Sequence, residues 1–151
     1  METTEQLLEK ARRAGQEQAL AYAGALSPAS AYSLLQCQKD ARLVDVRTRA
    51  EWDWVGHVPD SVHIEWNTWP AGTRNPEFER ALSEVAPNKD APLLFLCRSG
   101  VRSHAAATFA AQLGYRNALN ILEGFEGEKD PDGHRNSVSG WRFRGLPWTQ
   151  S

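Results

Sequence analysis

The chain has 151 residues, 41% of them hydrophobic and 24% charged, which suits one globular domain with a real core. Its formal net charge of -2 carries no electrostatic footprint for nucleic acid or an anionic membrane. No apolar run approaches the roughly 20 residues that a membrane-spanning helix needs. The polar opening, residues 1–6, lacks the basic and then apolar pattern of a secretory leader, so a cytoplasmic protein is expected.

In chain order, residues 4–23 read as a helix. Leu7, Leu8, Ala11, Ala14, Leu20 and Ala21 recur at roughly helical spacing, with Thr3 or Thr4 as cap and Gly24 as terminator. This segment is either a packed accessory helix, the favoured reading, or a cover for a partner surface. A short strand at Ala25 and Leu26 leads into a helix capped by Ser27, with Pro28 at its first position, running to Cys37. Residues 42–47, β-branched at their centre, read as a strand. Thr48 caps a short helix through Trp52, residues 56–60 form a turn, and residues 61–64 form a third strand. Another helix is expected over 75–85, capped by Asn75, with Phe78, Leu82 and Val85 on one face. Residues 92–96 are apolar at consecutive positions, as expected for a central strand covered on both faces. A helix over 101–113 and a strand over 118–122 follow. Residues 127–140 are a polar loop, and no second domain fits behind it. The alternation predicts an α/β fold: a central, mainly parallel, five-stranded sheet with helices on both faces. Residues 1–23 form a helical extension and residues 24–151 the domain.

Cys97 stands between the central strand and the next helix, in the turn Cys97-Arg98-Ser99-Gly100-Val101-Arg102-Ser103. Ligands of open α/β sheets bind beyond the carboxyl ends of the strands. A tight glycine turn can aim successive amides inward, and the helix adds its free N–H groups. A free thiol is only about 3% ionised at pH 7. A helix terminus adds only about 0.3–1 kcal/mol at an exposed site. The loop amides and the charge of Arg98 or Arg102 would therefore have to assist. An isolated cysteine is more often an inert apolar residue, but two arginines in a glycine turn favour a reactive one. The other thiol, Cys37, packs a helix in the simpler reading and resolves a Cys97 adduct as a disulfide in the other. With no secretory leader, both are expected as reduced thiols. His57, His63, His104 and His134 are scattered without metal-ligand spacing, so neither metal nor cofactor is expected.

These motifs resemble a single-domain rhodanese, a thiosulfate sulfurtransferase. Leu43-Val44-Asp45-Val46-Arg47 is similar to that family's strand ending in Asp-x-Arg. Glu51-Trp52 and then Gly56-His57-Val58-Pro59-Asp60-Ser61 resemble its Gly-His-Ile-Pro-Gly-Ala motif, with Asp60-Ser61 departing from Gly-Ala in the turn. Residues 94–103 are similar to its active-site loop, and Leu122-Glu123-Gly124-Phe125 with residues 140–148 to its closing motifs. The resemblance covers residues 25–148. It implies that Cys97 takes sulfane sulfur from thiosulfate or a persulfide donor. A thiol, cyanide or a sulfur-relay protein would then accept it. The amides of Arg98, Ser99, Gly100, Val101, Arg102 and Ser103 would cradle the persulfide, with Asp45 and Arg47 bracing the site.

Two rival readings make different demands on the loop. Phosphatases and arsenate reductases of this fold place Arg six residues after the cysteine, where Ser103 stands; Arg102 comes one residue too early. A non-catalytic binding module of the same family would commonly lack the cysteine. Trp66 or Trp69 is a candidate to line the pocket. Lys129, His134 and Arg135 are candidates to reach substrate from the 127–140 loop, against the simpler reading of a solvated loop.

Overall fold

The computed structural model describes residues 2–150; the expectations touching residues 1 and 151 lie outside them. The chain runs α1 (Thr4–Glu17), β1 (Gly24–Leu26), α2 (Pro28–Cys37), β2 (Arg42–Asp45), α3 (Arg49–Trp54), β3 (Val62–His63), α4 (Phe78–Val85), β4 (Leu93–Leu96), α5 (Val101–Gln112) and β5 (Ala118–Ile121). The strands form one sheet in the order β1-β5-β4-β2-β3, and every pair is parallel. β4 lies in the middle with all four residues buried, as its unbroken apolar run requires.

Side chains of a strand alternate between faces. Leu93 and Phe95 pack with Phe78 and Leu82 of α4 and Ala106, Ala107 and Ala110 of α5. Leu94 and Leu96 pack on the other face with Leu7 and Ala11 of α1 and Ala31 and Leu34 of α2. Truncating Leu94 to Ala would cost about 2–5 kcal/mol.

Local chemistry explains most boundaries. Thr3 closes a capping box with Gln6 at the start of α1, Ser27 caps α2, and Thr48 closes a second box with Glu51 on α3. The first helix is shorter than its periodicity suggests. It ends at Glu17, and Ala19 adopts φ 51, turning Leu20 and Ala21 out of the helix. Gly24 is no terminator: a Cβ there would run into the carbonyl of Ala11, and one on Gly15 would meet Ala23 O at 2.5 Å. These two glycines let α1 lie backbone to backbone on β1.

The fourth helix starts at Phe78, three residues later than expected. Asn75 is instead a turn residue, accepting from the Glu77 amide at 3.0 Å and donating to Glu65 O at 2.9 Å. Val85 is 40% exposed, off the buried face. The third strand shrinks to two residues, although Ile64 and Trp66 still donate to the Asp45 and Val46 carbonyls. The 127–140 segment folds around Asp130, which accepts from the amides of Asp132 and His134 at 2.9 Å and from the Ser137 hydroxyl at 2.5 Å. Those bonds, the Ser137 one foremost, lower the pKa of the Asp130 carboxyl. Near the C-terminus, Thr149 pairs with His57 as an isolated antiparallel bridge, and Trp141 is fully buried. Among the described residues no helix is long and apolar enough to cross a membrane.

Candidate active site

Cys97 directly follows β4 and continues the alternation of Leu93 and Phe95, so its side chain lies on the α5 side. The residue is 1% exposed, which puts the sulfur on the floor of the loop. Gly100 adopts φ 110, a left-handed conformation that favours glycine, and this turns its amide onto the sulfur. That N–H donates to Cys97 Sγ at 3.1 Å. Gly100 is also the N-cap of α5 and offers no side-chain cap, so the helix presents its first amides uncapped.

The loop is braced from below by the chain after β5. The amide of Phe125 donates to Cys97 O at 2.8 Å, and those of Glu126 and Gly127 to Arg98 O at 3.0 and 3.2 Å. Gly124, at φ 71, passes so close that a Cβ would stand 2.5 Å from the Arg98 carbonyl.

Behind the sulfur lies a polar chain that sequence reasoning missed. Ser103 Oγ sits 3.3 Å from Cys97 Sγ. Its hydroxyl donates to Asn120 Oδ1 at 2.6 Å, while Asn120 Nδ2 donates to Gly100 O at 3.3 Å. With that proton committed, the Ser103 lone pairs face the thiol and can accept from it. Asn120 interrupts an otherwise apolar strand, Ala118–Ile121, and that was the signal available.

The two loop arginines separate. Arg102 forms a bidentate pair with Glu51 at 2.7 and 3.0 Å. Burial raises the pKa of the Glu51 carboxyl, but Arg102 and the Thr48 amide and hydroxyl more than reverse this, leaving it at about 2. Burial likewise lowers the pKa of Arg102, and Glu51 outweighs it, so the guanidinium stays charged. Arg98 is exposed, Ser99 half-buried, and Val101 75% exposed.

Asp45, paired in register with Leu96, forms a separate ion pair with Arg47. Both side chains are fully buried, joined at 2.7 Å. Arg47 also donates to Gly56 O at 2.8 Å and stacks over Phe125 at 4.2 Å. The pair thus ties the end of β2 to the Gly56 turn and to the residue whose amide holds Cys97 O. Beside it His63 stacks on Trp52 at 4.3 Å.

A cleft of about 630 Å³ opens beside the loop, walled by Thr48, Glu51, Trp54, Trp69, Arg98 and Arg135, among others. A second depression of about 350 Å³ lies at the start of β2, near Tyr32, Arg42 and Val58, away from the reactive loop. Trp69 therefore reaches the site's mouth, whereas Trp66 is in the core against Phe78 and Phe109. Arg135 reaches the cleft; Lys129 and His134 do not line it. Cys37 is exposed at the end of α2, 3.3 Å from Thr4 Oγ1, while Cys97 is buried on the opposite side of the sheet. His104 Nδ1 is bonded to the Tyr22 hydroxyl at 2.7 Å. Among the described residues no group of three or more His, Cys, Asp or Glu is placed to hold a metal ion.

The rhodanese-like domain family model matches residues 27–130. Rv0390 of M. tuberculosis, a crystal structure, is 44% identical with a TM-score of 0.77, over 86% of this chain and 99% of that one. An uncharacterized protein of Rickettsia conorii is 40% identical over 121 residues, 78% of this chain and 90% of its own length. A sulfurtransferase of Allochromatium vinosum is 30% identical over 109 residues, covering 72% of this chain and 78% of that protein.

Proposed function

The chain belongs to the rhodanese-like domain family, and on that premise we propose that it is a sulfurtransferase carrying sulfane sulfur on Cys97. The observation that carries this reading is the Cys97 sulfur held at 3.1 Å by the Gly100 amide below the uncapped start of α5. Negative charge on that sulfur, or on a second sulfur attached to it, meets oriented N–H groups and the positive end of the helix dipole.

The Cys97 thiolate attacks the outer sulfur of thiosulfate or of a persulfide. For thiosulfate the S–S bond breaks, sulfite leaves with the electron pair, and a Cys97 persulfide remains. A thiolate or cyanide then attacks the outer sulfur and Cys97 leaves as thiolate. Two half-reactions on one nucleophile give ping-pong kinetics. We place the reaction in the cytoplasm, where thiols stay reduced.

The loop's details favour sulfur over phosphoryl transfer. Ser103, six residues after the cysteine, faces the thiol at 3.3 Å, and Arg102 is committed to Glu51. Phosphate transfer would want an arginine free to grip equatorial oxygens. The test is sulfur release from thiosulfate to cyanide by the purified protein. Turnover that vanishes in Cys97→Ala supports the reading; a rate equal to that of the variant contradicts it.

A further inference from the structure

We propose that the cleft beside the reactive loop is the seat of the sulfur acceptor, an organic thiol that carries a flat apolar group and a carboxylate. The inference rests on the sulfur-transfer reading and names the acceptor's chemistry.

Three observations converge. Trp54 is 82% exposed and Trp69 63% exposed, and both wall the same cleft of about 630 Å³. That volume is in the range of small-molecule sites, about 300–1,000 Å³. Indole faces suit an apolar or aromatic group and offer nothing to a small inorganic dianion, since the ring face is itself electronegative. The second observation is charge. Arg98 and Arg135 both line the cleft, and Arg135 is anchored by one nitrogen to Gly127 O at 2.6 Å, leaving its other donors for a ligand. Glu51 is neutralised by Arg102, so Glu126 is the carboxylate that opposes these two cations. The cleft keeps one positive charge in excess, and a guanidinium matches a carboxylate in bidentate geometry. Third, Arg98 of the loop lines the cleft and Glu51 in its wall pairs with Arg102 of the same loop, so the cleft borders the loop that holds Cys97. Arg135 lies beyond residues 27–130, the stretch that the family model matches.

The acceptor thiolate attacks the outer sulfur of the Cys97 persulfide. The Cys97 S–S bond breaks, its electron pair returns to Cys97 Sγ, and a new S–S bond makes the acceptor persulfide. One sulfur atom moves and no outside oxidant is needed.

The test reads the half-reactions apart. The protein is loaded from thiosulfate and the mass of one added sulfur is sought on Cys97. Failure to load would overturn the sulfur-transfer reading and the acceptor site with it. The loaded protein is then discharged with N-benzoylcysteine, its carboxamide and N-acetylcysteine, with rates compared per unit thiolate. The acid should react about tenfold faster than the amide, and Arg135→Gln should bring them within about twofold. The benzoyl compound should outpace the acetyl one, and Trp54→Ala should erase that difference. Equal rates for acid and amide with the native protein would overturn the proposal. So would a preference unchanged in Arg135→Gln, or discharge only by a protein thiol such as reduced thioredoxin.

Discussion

Two arginine–carboxylate pairs flank the reactive loop, and they are built differently. Asp45–Arg47 is sealed, with neither side chain exposed. Glu51–Arg102 sits at the rim with its side chains 18% and 21% exposed. The sealed pair touches no reacting atom. It locks the end of β2 to the Gly56 turn and to Phe125, which in turn holds the Cys97 carbonyl. The rim pair belongs to the loop itself and sets where Arg102 points. Burial makes the first indispensable to the fold, because either charge alone would be stranded without water. Partial exposure makes the second less costly to break for the fold than the first, while its position makes it costly to break for chemistry.

Mutation separates the two pairs. Asp45→Asn should have the largest effect on stability, a loss of about 3–5 kcal/mol in urea unfolding, because Arg47 is left charged and buried. A loss under about 1 kcal/mol would mean that the pair is not the lock described. Gly124→Ala comes next, at about 1–3 kcal/mol, since alanine must adopt a left-handed backbone against the Arg98 carbonyl. It should also slow sulfur loading of Cys97, because the loop must shift.

Glu51→Gln should cost about 1–2 kcal/mol at neutral pH, because the pair is mostly but not fully withdrawn from water, and slow loading by about tenfold as Arg102 swings free. Its pH signature is specific. The folded carboxyl titrates at about 2 against an ordinary 4.5, so its contribution is complete above about 4.5 and is lost as pH falls toward 2. The native protein should therefore lose its advantage over Glu51→Gln across that window. The smallest effect belongs to His63. Burial, opposed by Asp45 and helped by His57 and Arg47, lowers its pKa from 6.5. Its neutral form stabilises the fold above that value, and stability should decline gently as pH falls below it. His63→Gln should flatten that limb of the unfolding profile.

The sheet and the nucleophile were legible because their signals are local. The apolar run at 92–96 announces a strand buried on both faces, Ser27-Pro28 announces a helix start, and Cys97 through Ser103 is contiguous. What could not be read depends on distant partners. Thr48 was visible as a cap, but nothing near residue 51 says that its carboxylate will hold Arg102, fifty-one positions on. Asn120 meets Ser103 only because β5 lies beside β4. Periodicity also overran the first helix, since Leu20 and Ala21 keep the apolar spacing while the turn at Ala19 takes them elsewhere. Sequence gives no reason to separate Trp54 from tryptophans that anchor the core and loops, because its exposure is a property of the assembled surface.

Intact mass spectrometry reads directly whether Cys97 carries the sulfur. After incubation with thiosulfate and removal of excess donor, the native protein should gain the mass of one sulfur atom, mapped to the Cys97 peptide and discharged by cyanide. Cys97→Ala should gain nothing. Added sulfur on Cys37 in its place, or an unchanged mass while sulfite is released, would contradict the account.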